Sequence, residues 1–179
     1  MSISSLAVFC GSKNGNNKQF EMDARELGYL LAQKGITLVY GGGNKGIMGA
    51  IANAVLEKDG KVVGIIPEIL KSWEAHHEGI TELIVVENMH VRKKMLYERC
   101  DAALILPGGF GTLDELFEML TWNQLNIHDK KIFILNTAGF YDHLIAHYKK
   151  MEAEGFLYDR IEDRLTVLNS VSEFEKELA

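Results

Sequence analysis

Short apolar runs separated by stretches of helical period constrain this chain more than any other feature. Leu6–Cys10, Ile36–Tyr40, Val62–Ile66, Ala102–Leu106, Ile132–Leu135 and Leu165–Leu168 read as strands, and Leu83–Val86 is a further apolar run. Between them lie helical stretches at Phe20–Gln33, Gly46 to about Lys58, Asn88–Arg99, Gly111–Gln124 and Tyr141–Glu154, with a terminal helix to finish. Strands joined by helices of this length imply crossover units and a parallel sheet. Runs such as LAVFC, VVGII, ALIL and IFIL are apolar on both faces, as in a sheet covered on both sides. The expectation is an α/β, Rossmann-like doubly wound fold, with a mostly parallel sheet and helices on both faces. No repeat, low-complexity tract or linker interrupts the 179 residues, so 1–179 reads as a single domain.

Composition excludes several classes. A net charge of −6 argues against a general nucleic-acid binder, and no apolar run approaches the roughly 20 residues of a membrane span. The N-terminal MSISSLAVFCGS lacks a basic segment and reads as no signal peptide. Cys10 and Cys100 have no metal or redox spacing and read as buried thiols of a reducing, cytoplasmic compartment. No ligand cluster suggests a metal, and no cofactor is expected.

Two glycine turns follow strands. Gly41-Gly42-Gly43-Asn44-Lys45-Gly46 formally matches G-x-G-x-x-G, with Glu68 available as the acid of a dinucleotide site. Against this, it follows the second strand rather than the first, and Lys45-Gly46 is no Walker A ending. Gly41, Gly42 and Gly43 therefore stand either as a phosphate turn or as a tight strand-to-helix turn.

The second turn, Pro107-Gly108-Gly109-Phe110-Gly111-Thr112, says more. Leu113, Leu116, Phe117 and Leu120 recur at helical spacing after it, so a core-packed helix starts near Thr112 at the carboxyl end of a strand. Its amides and the Thr112 hydroxyl can hold a phosphate. Glu115 has two readings: the acid of a Thr112-x-x-Glu115 capping box, or a carboxylate facing a ligand at that terminus. On the basic helix, Arg92 shares a face with Met89, Met95 and Leu96. A guanidinium on an apolar stripe needs an anion or must snorkel to water. Lys93 and Lys94 point progressively away, Lys94 as a solvated charge, and His90 reads as a surface residue.

ENMHVRKKM together with PGGFGTLDE resembles the LONELY GUY family of cytokinin riboside 5′-monophosphate phosphoribohydrolases, and the likeness extends to FCGS and VYGGGNKGIMG. The resemblance implies a Rossmann-like fold, a homodimer with a composite active site, and hydrolysis of a nucleoside 5′-monophosphate to free base and ribose 5-phosphate. It implies Arg92 and Glu115 as catalytic residues. Lys93, Gly108, Gly109, Gly111 and Thr112 fall on nucleotide-binding positions and Thr121 on a further contact, with Met89 beside Arg92 also assigned to substrate. Glu74 lies where the family has a substrate-contacting acid, although KSWEAHHEG departs from the family pattern; Phe110 stands where tyrosine is frequent, and Asp114 where glutamate is. The family has also carried a lysine decarboxylase label, for which the chain offers no recognisable pyridoxal-phosphate lysine. An NAD-dependent oxidoreductase using Gly41–Gly46 and a non-catalytic nucleotide-binding module are the alternatives.

Overall fold

A computed structural model of the chain describes residues 3–71 and 76–178. Seven strands form one sheet: β1 (Ser5–Phe9), β2 (Thr37–Tyr40), β3 (Val62–Pro67), β4 (Glu82–Val86), β5 (Ala102–Ile105), β6 (Lys131–Leu135) and β7 (Thr166–Leu168). Their spatial order is β4-β3-β2-β1-β5-β6-β7. All six pairings are parallel, a stricter outcome than the mostly parallel sheet expected. The helices are α1 (Lys18–Gln33), α2 (Gly46–Leu56), α3 (Glu68–Lys71), α4 (Met89–Glu98), α5 (Phe110–Gln124), α6 (Asp142–Ala153) and α7 (Val171–Glu177).

The period-2 alternation of the strands feeds two cores. Leu6 and Val8 of β1 and Leu104 of β5 face a layer built from α1, α2 and α7. Ala7 and Phe9 of β1, with Ala103 and Ile105 of β5, face α4, α5 and α6. On the first face α1 and α2 nearly touch: a Cβ at Gly28 would stand 2.7 Å from the Ala54 Cβ. The chain winds outward from β1 to β4, then returns to place β5 on the other side of β1. The β1/β5 pair is thus the point where strand order reverses, and a crevice opens beyond the carboxyl ends of these two strands.

One sequence expectation is corrected here. Helix α5 begins at Phe110, with Gly109 as an extended N-cap (φ −97°, ψ −153°) that offers no side-chain cap. Thr112 is therefore the third helical residue, and Glu115 sits a further turn along. No capping box joins them, because two adjacent glycines let the chain turn into the helix earlier than Thr112.

Candidate functional site

The β1/β5 ladder runs on past the strands. Leu106 N–H donates to Phe9 O at 3.0 Å and Gly11 N–H to Pro107 O at 3.0 Å, so the loops after β1 and β5 lie against each other. Only glycines permit this approach: a Cβ at Gly108 would stand 2.1 Å from Thr112 Oγ1 and 2.9 Å from Gly11 N. Gly109 and Gly111 differ, since a Cβ on either would meet nothing within 4 Å. Their bare side faces open space at the N-terminus of α5. The first α5 bond is Leu113 N–H to Gly109 O, so the amides of Phe110, Gly111 and Thr112 precede the helical ladder and have no partner within the helix. This is an anion-receptive terminus.

Beside it lies a cavity of about 350 Å³ whose walls include Cys10, Gly11, Ser12, Leu70, Arg92 and Glu115. Arg92 reaches it from α4, whose start is set by Asn88 Oδ1 accepting from Val91 N–H at 3.0 Å. The guanidinium is buried and held from three sides. Nε donates to Ile65 O at 3.1 Å, Nη2 to Gly41 O at 3.4 Å, and Nη1 lies 3.8 Å from Glu115 Oε1. Arg92 thus has the carboxylate that its apolar helix face requires. Glu115 is itself largely enclosed, its side chain 13% exposed. Burial raises its pKa to about 7 against the attraction of Arg92, with the Asp114 charge adding to the rise. The Cys10 thiol in the same wall is pushed up by burial and by the Glu115 charge, so it stays protonated at neutral pH and is no nucleophile. A second cavity of about 370 Å³ opens beyond Gly11 and Gly109 against Phe20, Ile47 and Phe140, with no acid-cation pair among its described lining residues.

The structure brings Arg92, Glu115, Met89, Gly41, Gly109, Gly111 and Thr112 to the first cavity. Gly108 stands behind them as the close-packing partner of Thr112. Lys93 does not join them; its Nζ pairs with Asp114 Oδ2 at 2.7 Å. Thr121 is exposed on a different face of α5, against a separate groove with Phe117 and Tyr148. Glu74 lies outside the described residues.

The first glycine turn takes on protein-internal tasks. A Cβ at Gly41 would stand 2.2 Å from Arg92 Nη2, so glycine is there to admit the guanidinium. Gly42 adopts φ +81°, and its carbonyl accepts from His77 N–H at 2.9 Å, while Gly43 forms a bridge with His76. At Gly46 a Cβ would stand 2.3 Å from the Ser12 carbonyl carbon, and Met48 N–H donates to Gly11 O. The backbone of the β1–α1 loop covers the start of α2 where a phosphate would bind. This favours the tight-turn reading of Gly41–Gly43 over the phosphate one.

Several contributors carry no motif. Ile65 lends only a carbonyl, Gly11 and Ser12 shape the wall through their backbones, and Leu70 comes from the short α3. The FCGS strand end was the one available signal for the loop after β1.

The family described as possible lysine decarboxylase matches residues 48–178. Cytokinin riboside 5′-monophosphate phosphoribohydrolase LOG2 of Arabidopsis thaliana is 45% identical over 152 residues, covering 85% of this chain and 71% of its own length. LOG1 of the same plant is 41% identical, covering 97% and 81%. The cytokinin riboside 5′-monophosphate phosphoribohydrolase of Rhodococcoides fascians is 40% identical, covering 93% and 85%. Among solved structures, the molybdenum cofactor binding protein from Rippkaea orientalis superposes with a TM-score of 0.72 over 100% of this chain and 99% of its own, at 20% identity. The molybdenum cofactor carrier protein of Chlamydomonas reinhardtii gives 0.69 over 97% and 96%, at 17% identity. At these identities the two structures speak for the fold alone. The sequence matches speak for more: the chain belongs to the possible lysine decarboxylase family, alongside the LOG phosphoribohydrolases.

Proposed function

We propose that the chain hydrolyses the N-glycosidic bond of a nucleoside 5′-monophosphate, releasing the free base and ribose 5-phosphate. The observation that carries this reading is the buried Arg92–Glu115 pair, 3.8 Å apart, one turn below the open N-terminus of α5. The 5′-phosphate sits on the amides around Gly109–Thr112, which puts the ribose near Glu115. As the C1′–N bond breaks, its electron pair leaves with the base and positive charge develops on the ribose, as in glycoside hydrolysis. Glu115 faces that charge and takes a proton from the water that adds to C1′; the departing base nitrogen gains a proton in turn. A carboxyl whose pKa lies at about 7 is poised for this exchange near neutral pH. Arg92 keeps enough of it ionised to act.

Other readings fare worse. Schiff-base decarboxylation needs a lysine in the cavity, and no lysine stands among its described lining residues. A dinucleotide needs the start of α2, which Ser12 and Lys13 cover. A pure binding module has no use for an enclosed carboxyl held near neutrality. The relatives' names favour a cytokinin riboside 5′-monophosphate as the nucleotide. Product analysis with wild type, E115Q and R92A tests the reading: only wild type releases base, and equal release by E115Q contradicts it.

We also propose a homodimer. Phe110, 94% exposed, lines the cavity, and Thr121 lies on a separate face of α5, so the substrate contact that the family resemblance implies for Thr121 needs a second subunit. Light scattering should give twice the 20.1 kDa of one chain; a monomer contradicts it. The free, buried Cys10 and Cys100 fit a reducing cytoplasmic setting.

A further inference from the structure

The Gly41 carbonyl accepts from Arg92 Nη2, so the place of the guanidinium depends on how the Gly41–Gly43 turn is held. Glycine populates many backbone conformations, and a turn made of three of them needs an outside support to keep one shape. That support is the segment after α3. Gly43 forms an antiparallel bridge with His76, and the carbonyl of Gly42 accepts from His77 N–H at 2.9 Å. The segment is fastened in turn by one side chain. His77 is buried; its Nδ1 accepts from Gly79 N–H at 3.1 Å, and its Nε2 lies 3.0 Å from Asn53 Oδ1 on α2. A ring nitrogen that accepts from an amide carries no proton, so the proton sits on Nε2 and is donated to Asn53. Only this neutral tautomer serves both partners. Burial lowers the pKa of His77, which keeps the ring neutral at pH 7 and above.

We infer that His77 is a positioning residue for Arg92: by pinning residues 76–79 to α2, it holds the Gly41–Gly43 turn in the shape that seats the guanidinium against Glu115. This rests on the proposed role of Glu115. It also gives the first glycine turn a task in the reaction, as the hinge between His77 and Arg92. Around His77 stand the uncharged Asn53 side chain and the backbones of Gly42 and Gly79, while the flanking His76 and Glu78 pair with each other at 3.8 Å. The charged and titratable groups around Glu115 are Arg92 and Lys93 from α4, Asp114 and Glu118 from α5, and the Cys10 thiol just past β1. Of these, Arg92 pulls Glu115 most strongly toward its ionised form. When the turn loosens, Arg92 draws away and the carboxyl keeps its proton to higher pH.

The pH profile of kcat/KM for a cytokinin riboside 5′-monophosphate tests the inference. An asparagine amide takes the place of Nδ1 and a glutamine amide that of Nε2, so H77N loses Asn53 and H77Q keeps it. In H77N the rising limb moves to higher pH: kcat/KM falls about tenfold at pH 6 yet stays within about twofold of wild type at pH 9. H77Q restores the wild-type limb. N53A cuts the same link from the exposed side of α2 and moves the limb as H77N does, which keeps the test open should H77N fold poorly. A limb that stays in place in N53A and in any folded H77N overturns the inference. So does an H77Q limb displaced as far as that of H77N, which traces the effect to lost packing, or a tenfold rise in KM with the limb unmoved, which makes His77 a substrate contact. Failure of the underlying reading looks different, because then E115Q itself retains wild-type activity.

Discussion

Glu115 and Arg92 meet across two helices that the sequence separates by an apolar strand, and each explains the other. The guanidinium costs least to bury with a carboxylate beside it, while that carboxyl, nearly enclosed, is drawn toward its neutral form. The balance has a consequence for stability. The folded-state pKa of Glu115, about 7, lies above the ordinary value of 4.5, so the native chain holds an extra proton between those values. The associated stabilisation is complete below pH 4.5 and is lost as pH rises through 7, an amount on the order of 3 kcal/mol. E115Q removes this titration. Thermal melts from pH 5 to pH 8 should therefore show wild type losing stability relative to E115Q, whatever the constant cost of leaving Arg92 without its anion. A difference that stays flat over that range contradicts the placement of the proton. At this scale the sequence was partly legible: Arg92 announced its need for an anion by its helical face. The identity of the carbonyls that hold it, on Gly41 and Ile65, was not legible, because backbone oxygens leave no mark in a sequence.

The two glycine turns show what local pattern conveys and where it misleads. Both follow parallel strands and both precede helices, yet one presents an open helix terminus and the other a filled one. The difference lies in the β1–α1 loop, which folds over Gly46 and leaves Gly109 and Gly111 bare. No spacing rule encodes that tertiary choice. The Thr112-x-x-Glu115 pattern misled for a similar reason: it recurs inside helices, and Gly109 had already opened this one. Single alanines separate the two turns. G111A places a methyl in open space on a helical residue, so the melting temperature holds or rises while KM for a nucleoside monophosphate increases at least tenfold. G46A forces a side chain onto φ +62° against the Ser12 backbone and should cost about 2 kcal/mol or more in a denaturant melt. If G111A binds substrate normally, the phosphate does not sit on that terminus.

Across the whole molecule, the fold was the most legible part. Every strand expected from the apolar runs is present, because two-sided apolar segments of this length have few places to go besides the interior of a parallel sheet. Strand order was not readable, and it is what creates the site. The return of the chain from β4 to β5 sets the loops after β1 and β5 together and brings α4 over the sheet to meet α5. Family membership then converts an anion-receptive crevice with an acid-cation pair into a proposed phosphoribohydrolase. The central claim is that a 5′-phosphate anchors the substrate while Glu115 acts at the glycosidic carbon. Chromatography of a panel of nucleoside 5′-monophosphates and the corresponding nucleosides, each incubated with the wild-type chain, tests it most directly. The account predicts free base and ribose 5-phosphate in equal amounts from a monophosphate, with the unphosphorylated nucleosides cleaved at least a hundredfold more slowly. Nucleosides cleaved as fast as monophosphates, or no base released from any nucleotide in the panel, would contradict it.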